Sequence, residues 1–292
     1  MSGGTGSIPR STKRALRWLV SRNHLIRHIC CVAGLAVLAT GAPAIVIRHD
    51  VDDRKYRADE TKMPAIFAIY RNKSGRKDCV ATLIDEKWAV TAAHCTKDRP
   101  FLDAMAVPGG TFEVEIAGRK ARIDKVIRHP ASERARNGAF EEWVDLALIR
   151  FSQPIKRVRV VKLHSGRSER GTEVLLPGWG TSGNGDVGLK EPDGLFRIAE
   201  NRVDRVSHGW IMWKFEDPRT DPMTLRLEGV SGPGDSGGPA LVKRSNGYEI
   251  LGVSSSQRTF GKPEGTYGVM EGYVRVSTFA PWIRAETANI VQ

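Results

Sequence analysis

Residues 232–240 read Gly-Pro-Gly-Asp-Ser-Gly-Gly-Pro-Ala. Ser236 stands at the centre of this stretch, in a glycine-rich turn where consecutive backbone N–H groups can converge on one point. Such a nest binds anions, including the oxyanion of a tetrahedral intermediate. Alone, the pattern indicates only a tight turn, so a nucleophilic Ser236 requires a base and an orienting acid elsewhere in the chain.

Two further stretches can supply those groups. Residues 88–95 read Trp-Ala-Val-Thr-Ala-Ala-His-Cys, which places His94 directly after a short apolar strand. Residues 143–150 read Trp-Val-Asp-Leu-Ala-Leu-Ile-Arg, so Asp145 interrupts a run that is apolar on both faces. A buried carboxylate is costly unless it is paired, and a histidine N–H is a suitable partner. The chain order His94, Asp145, Ser236 is one of three in which serine triads occur.

Together these segments resemble the chymotrypsin/trypsin-like serine proteases. Residues 91–95 and 234–239 match the two signatures of that family nearly unaltered, and the similarity runs from about residue 60 to residue 285. The resemblance implies an all-β fold of two six-stranded antiparallel β-barrels with a short C-terminal helix, here preceded by one N-terminal hydrophobic helix. The many short β-branched segments that follow Pro64 favour the same fold class.

The resemblance assigns a role to each matched residue. Ser236 would be the nucleophile, His94 the general base and acid, and Asp145 the group that orients His94. The backbone N–H groups of Gly234 and Ser236 would form the oxyanion hole. Peptide bonds would be hydrolysed through an acyl-enzyme, so a peptide or protein substrate is the expected partner, and no cofactor or metal is expected. The alternatives are a catalytically silent binding protein of the same fold and an unactivated zymogen.

Two pairings follow from the same resemblance. Cys79 and Cys95, which lie 16 residues apart, would form a disulfide, and they lack the multiplicity of a zinc site. Asp235 would pair with the N-terminal amine of an activated chain, for which Ile45 is the candidate. The usual Ile-Val-Gly-Gly start of that family is here Ile-Val-Ile-Arg. A cut after Ala44 during export would itself release the amine of Ile45.

The expected specificity pocket departs from the common pattern. Val230 stands at the pocket floor in place of an aspartate, and an apolar floor predicts a small or medium uncharged substrate side chain. A carboxylate at Glu271, on the expected pocket wall, would instead select a basic side chain, so both alternatives stay open. Ser254 would begin the edge that binds extended substrate backbone. The predicted substrate-binding residues are Val230, Ser231, Ser254, Ser255, Ser256 and Glu271.

The N-terminal segment indicates export. Residues 29–47 are uncharged and apolar over 19 positions and follow a basic segment, residues 1–28. They are either a transmembrane anchor, which would make a membrane the second partner, or the core of a signal peptide cut after Ala44. Either alternative places the predicted protease domain, residues 63–292, outside the cytoplasm, as a periplasmic, secreted or membrane-anchored domain. Residues 48–62 would form a linking arm.

Composition excludes several other classes of protein. The chain of 292 residues is 40% hydrophobic and 27% charged, which excludes coiled coils, collagen-like chains, fully disordered chains and multi-span membrane proteins. The net charge is +12, but six of the basic residues lie among the first 44 residues, where there is no acid. The remaining excess of 39 − 33 = +6 is modest and carries no recognisable nucleic-acid motif, so no nucleic-acid partner is expected.

Overall fold

The computed structural model describes residues 45–71, 77–133 and 143–288, all within one compact unit of the chain. In these residues the chain is mostly β-structure, with eighteen strands and two α-helices. The strands are β1 Ile45–Ile47, β2 Ile66–Arg71, β3 Lys77–Asp85, β4 Trp88–Thr91, β5 Phe112–Ile116, β6 Arg119–Arg128, β7 Ala147–Phe151, β8 Lys162–Leu163, β9 Glu173–Gly178, β10 Ser182–Asn184, β11 Gly188–Leu189, β12 Arg197–Arg202, β13 Arg205–Ser207, β14 Trp210–Lys214, β15 Gly229–Val230, β16 Pro239–Arg244, β17 Gly247–Arg258 and β18 Met270–Arg275. The helices are α1 Arg99–Ala106 and α2 Val276–Ala288.

The N-terminal half forms the first barrel. Six antiparallel strands follow the order β2-β3-β4-β7-β6-β5, and the edge strands β2 and β5 lie beside each other, so the sheet is nearly closed. Strand β7 has Ala147, Leu148 and Ile149 completely buried, because the strand is covered on both faces. The uninterrupted apolar run in the sequence predicts this burial. The first predicted six-stranded barrel is confirmed.

The C-terminal half forms the second barrel-like sheet of the predicted fold, a half-barrel. Its sheet has eight strands, in the order β12-β9-β16-β17-β18-β14-β13, with β8 parallel to β17. Two of these strands, β8 and β13, are only two and three residues long. Segments of that length are too short to show an alternating pattern in the sequence.

A separate four-stranded sheet, in the order β11-β10-β1-β15, holds the first described residues. Strand β1 runs parallel to β10 and antiparallel to β15, and all three of its residues are buried. Residues 45–47 were assigned by sequence to the end of the apolar segment, whereas they form this strand. The rest of the predicted anchor or signal core, with the predicted N-terminal helix, lies outside the described residues. No helix in the described ranges is long and apolar enough to cross a membrane.

The predicted linking arm packs on the C-terminal half through a buried arginine. The guanidinium of Arg197 is completely buried and binds Asp53 of the arm, with an Nε–Oδ1 distance of 2.6 Å. It also binds Asp193, with an Nη2–Oδ2 distance of 2.9 Å. Tyr56 of the arm is buried as well, and its hydroxyl donates to the carbonyl of Glu228. The arm therefore belongs to the packed domain.

The predicted short C-terminal helix is α2. It spans Val276–Ala288, and Pro281 lies in its second turn. Ala280 and Ile283 are buried and join the helix to the core.

Candidate active site

His94 and Asp145 meet because two neighbouring strands are antiparallel. Strand β4 ends beside the start of β7, with Thr91 opposite Ala147, so the residues that follow β4 and precede β7 share one edge. The Oδ1 atom of Asp145 accepts the backbone N–H of His94 at 2.9 Å, and Oδ2 lies 2.6 Å from Nδ1 of the ring. The carboxylate is completely buried, whereas the His94 side chain is 36% exposed. The carboxylate holds the proton on Nδ1, which leaves Nε2 as the basic atom.

A third hydrogen bond to this carboxylate comes from a residue whose role the sequence analysis missed. The hydroxyl of Ser255 donates to Asp145 Oδ2 at 2.7 Å. We predicted Ser254 at the start of the substrate-binding edge, but its hydroxyl lies 3.4 Å from Ser231 Oγ inside the domain. The pairing of β17 with β18 shifts register between Ser254 and Ser256. Three consecutive serines give no signal for which of them meets the acid.

Ser236 lies in the turn before β16, partly exposed between buried neighbours. Its carbonyl accepts the backbone N–H of Val80 at 2.7 Å, which joins this turn to the first barrel. The sulfur of Cys95 lies 3.4 Å from the Ser236 carbonyl oxygen and 3.8 Å from Nε2 of His94. The serine and the histidine therefore flank the same sulfur. In the described ranges no hydrogen bond joins their side chains, and such bonds often tighten only when substrate binds.

The turn around Ser236 depends on two glycines. Gly234 has a φ of 102° and Gly237 a φ of 80°, a region that L side chains rarely adopt. A Cβ atom on Gly237 would lie 2.3 Å from Thr91 Oγ1, so a side chain there would collide with β4. Within the described chain, the backbone N–H groups of Gly234 and Ser236 donate to no other backbone group. These two groups are available to a ligand oxygen.

The Asp235 carboxylate turns inward, away from Ser236. It accepts the backbone N–H of Gly180 at 2.6 Å and that of Gly232 at 3.0 Å. Burial raises the pKa of this carboxyl to about 7. A Cβ atom on Gly178 would lie 2.0 Å from Asp235 Oδ1 and 3.1 Å from Ile45 Cδ1. The two residues predicted as an activation pair therefore both approach the same face of Gly178.

Cys79 and Cys95 form the predicted disulfide, with their Cα atoms 5.8 Å apart. Their sulfurs and a ring nitrogen of His94 lie within 4.8 Å of one another, a spacing that a metal centre would also have. Disulfide sulfurs are not thiolates, so this cluster lacks the ligands that zinc requires.

The predicted pocket residues lie together under the turn that carries Ser236. Val230 is in the C-terminal core and pairs with Val46 of β1. The hydroxyls of Ser231 and Tyr273 are hydrogen-bonded to each other. Burial raises the pKa of Glu271 to about 8. Ser255 and Ser256 are partly exposed on the adjacent edge of β17.

Comparison with known proteins settles the family. The family model described as Trypsin matches residues 53–283, most of the chain. The chain belongs to the trypsin family. Anionic trypsin of Bos taurus is 29% identical over 271 residues, which cover 87% of this chain and 98% of that relative. Serine protease 1 of Homo sapiens is 30% identical over 264 residues, which cover 86% of this chain and 96% of that relative.

A solved structure shows the same trypsin-family fold. Neuropsin, a serine protease expressed in the limbic system of mouse brain, superposes with a TM-score of 0.55 at 17% sequence identity. The match covers 80% of this chain and 98% of neuropsin. At that identity the likeness concerns the fold alone.

In this trypsin-family chain, Gln257 is a further residue beside the predicted pocket, and no sequence motif indicates it. This residue lies opposite Glu271 in the pairing of β17 with β18. Its side-chain Nε2 donates to Glu271 Oε1 at 2.7 Å, and its Oε1 accepts the backbone N–H of Gly265 at 2.8 Å. A polar residue near the end of a strand is ordinarily solvent-facing, so no sequence pattern indicates this inward orientation.

Proposed function

We propose that this trypsin-family chain is an exported serine endopeptidase that uses Ser236, His94 and Asp145 as its catalytic triad. The observation that carries the proposal is the completely buried Asp145 carboxylate, which orients His94 beside the partly exposed Ser236. Burying a charged carboxylate is costly. In the proposed triad this carboxylate fixes the tautomer of His94 in which Nε2 can accept a proton. The named relatives, a trypsin and a serine protease, support the same reaction class.

The proposed reaction proceeds in two halves. Ser236 Oγ attacks the scissile carbonyl carbon while His94 Nε2 takes the hydroxyl proton, and the carbonyl π electrons move onto oxygen. The backbone N–H groups of Gly234 and Ser236 donate to that oxyanion. His94 then gives its proton to the leaving amine as the C–N bond breaks. In the second half, water attacks the acyl carbon while His94 takes its proton. The bond from the acyl carbon to Ser236 Oγ then breaks, and His94 returns the proton to that oxygen.

Activation is proposed to depend on a free amine at Ile45. In the part of the chain that the structure describes, the buried Asp235 carboxyl is bound by backbone N–H groups and forms no ion pair, and its raised pKa shows the cost of ionising it there. The side chain of Ile45 also approaches Gly178, and an amine at this residue would supply a cation near the carboxyl. Ile45 also has a φ of 60°, which is unfavourable for a β-branched residue. A cut before Ile45 removes that torsion.

Export is proposed from the N-terminal sequence and from the disulfide. The basic segment, the apolar core and the small residues Ala42 and Ala44 fit a cleavable export signal. Disulfides persist in oxidising compartments outside the cytoplasm. N-terminal sequencing of the exported protein tests the cut, with Ile45 as the expected first residue. A different first residue, or a retained N-terminus, would contradict it.

Peptide hydrolysis tests the enzyme proposal. The exported, purified protein is assayed on a library of internally quenched peptides, beside Ser236→Ala and the exposed-serine control Ser168→Ala. We expect hydrolysis by the native protein and by the control, and a loss of at least about 10³-fold in Ser236→Ala. Hydrolysis that survives in Ser236→Ala would contradict the assignment of the nucleophile. Inactivity of a protein that begins at Ile45 would favour the silent binding protein.

A further inference from the structure

Four of the six residues predicted to line the specificity pocket are almost inaccessible. Their exposed fractions are 0% for Val230, 7% for Ser231, 5% for Ser254 and 3% for Glu271. A pocket that is ready to receive a long substrate side chain has accessible walls. The space beside these four residues is therefore occupied by other parts of this chain.

Gln257 is the residue that covers Glu271. It is the cross-strand neighbour of Glu271, and its Nε2 donates to Glu271 Oε1 at 2.7 Å. Its other amide atom, Oε1, accepts the backbone N–H of Gly265 at 2.8 Å. Since both ends of the planar amide are held, the side chain is fixed between the strand pair and the loop that carries Gly265.

Beneath this amide the polar groups are satisfied by one another. Ser231 Oγ is hydrogen-bonded to Tyr273 OH, and Ser254 Oγ lies 3.4 Å from Ser231 Oγ. Burial raises the pKa of Glu271 to about 8, and the acids Asp235 and Glu264 act in the same direction. A carboxyl group that holds its proton at neutral pH does not attract a substrate cation.

We propose that Gln257 determines the substrate class of the proposed protease, because its amide closes the specificity pocket over Glu271 and leaves room only for small uncharged side chains. The inference rests on the proposed function. A lysine or arginine side chain would have to displace the amide and leave the Gly265 N–H without its partner. An alanine, glycine or serine side chain would leave both hydrogen bonds of Gln257 in place.

A peptide library randomised at the residue before the scissile bond tests the proposal on the exported protein. We expect kcat/KM to be at least tenfold higher for alanine, glycine or serine than for lysine or arginine. Gln257→Gly uncovers Glu271, so kcat/KM for lysine and arginine should rise at least tenfold. The double variant Gln257→Gly/Glu271→Gln should lose that gain, and the exposed-glutamine control Gln153→Gly should keep the native profile.

Two results would overturn the inference. One is a native protein that prefers lysine, arginine or a large aromatic residue before the scissile bond. This preference is measured on the native protein alone. The other is a Gln257→Gly variant that gains nothing on basic residues although a fluorophosphonate still labels its Ser236. The same label separates the two proposals, because it reports an assembled active site for any substrate preference. Failure to label Ser236 in the native protein would overturn the proposed function itself.

Discussion

Ser255 donates a 2.7 Å hydrogen bond to Asp145 Oδ2, the same oxygen that lies 2.6 Å from Nδ1 of His94. With the backbone N–H of His94 on Oδ1, the carboxylate receives three hydrogen bonds although it is completely buried. Charge-assisted hydrogen bonds of this kind offset the loss of hydration. They also fix both oxygens of the carboxylate, and through them the plane of the imidazole ring.

Removing the serine hydroxyl from this network should slow the proposed reaction. Ser255→Ala deletes one charge-assisted hydrogen bond, a contribution of about 1.5–3 kcal/mol, so we expect kcat/KM to fall about 10- to 100-fold. The free energy of unfolding should fall as well, by about 1–3 kcal/mol, because a completely buried carboxylate oxygen loses a partner. Peptide hydrolysis and thermal unfolding of the same variant separate the two effects. Unchanged kcat/KM would show that Asp145 needs only His94.

Asp145→Asn tests the orientation of the imidazole. The amide keeps the shape of the carboxylate but removes its charge and one acceptor, so His94 loses the tautomer with a basic Nε2. We expect kcat to fall about 10⁴-fold, and the exposed-residue control Asp103→Asn should match the native rate. A decrease of less than about tenfold in a folded Asp145→Asn protein would argue against His94 as the base.

The buried Asp235 carboxyl predicts a pH-dependent stability of the uncleaved chain. Its pKa is about 7 in the folded chain and 3.8 in the unfolded reference, so the folded state binds more protons between these values. Stability must therefore fall as the pH rises from 4 to 7. A free amine at Ile45 would favour the ionised carboxylate and remove this loss.

The comparison uses an uncut Ala44→Leu chain and the chain that begins at Ile45. Glu271 and Glu216 also have raised pKa values, of about 8 and about 9, so both chains lose stability as the pH rises. Only the difference between the two chains therefore reports the effect of the Ile45 amine on Asp235. We expect the melting temperature of the uncut chain to fall more steeply between pH 5 and 8. Equal slopes would mean that the amine does not reach Asp235.

The disulfide should contribute measurably to stability. Cys79 and Cys95 close a loop with a sequence separation of 16, for which chain entropy gives about 3 kcal/mol. We expect Cys79→Ala/Cys95→Ala to lower the free energy of unfolding in urea by about that amount. Its activity should fall as well, since Cys95 lies against both His94 and the Ser236 carbonyl. Reduction of the native protein with a thiol should reproduce both effects.

Arg197 of β12 should be important for the packing of the linking arm. Its completely buried guanidinium neutralises Asp53 and the nearly buried Asp193. Arg197→Ala would leave the nearly buried Asp193 carboxylate without this cation, whereas Asp53 would keep its ion pair with Arg57. We therefore expect the free energy of unfolding to fall by about 3–5 kcal/mol. Urea titration measures the loss. The exposed-arginine control Arg99→Ala should stay within about 0.5 kcal/mol of the native protein.

The sequence predicted the fold and the first barrel because their signals are local. The motifs around His94 and Ser236 and the apolar run after Asp145 each depend on a few consecutive residues. The short strands β8 and β13 have no sequence pattern of their own, because they are held by their neighbours in the sheet. The end of the apolar N-terminal segment was misplaced for a related reason. Ile45–Ile47 are as apolar as the residues before them, and only tertiary pairing makes them a strand.

The site was less predictable where register decides the outcome. A bulge in β17 determines that Ser255 meets Asp145 while Ser254 turns inward. The same strand directs Gln257 toward Glu271, although a glutamine before an exposed loop indicates a solvated side chain. Both positions depend on the alignment of β17 with β18, and no local sequence motif encodes that alignment.

Fluorophosphonate labelling of the exported protein, followed by peptide mapping, is the most direct test of the proposed catalytic triad. We expect one labelled residue, Ser236, with no label in Ser236→Ala and strongly slowed labelling in Asp145→Asn. Absence of label on Ser236 in a folded chain that begins at Ile45 would contradict it, because an assembled triad and oxyanion hole must react with this probe.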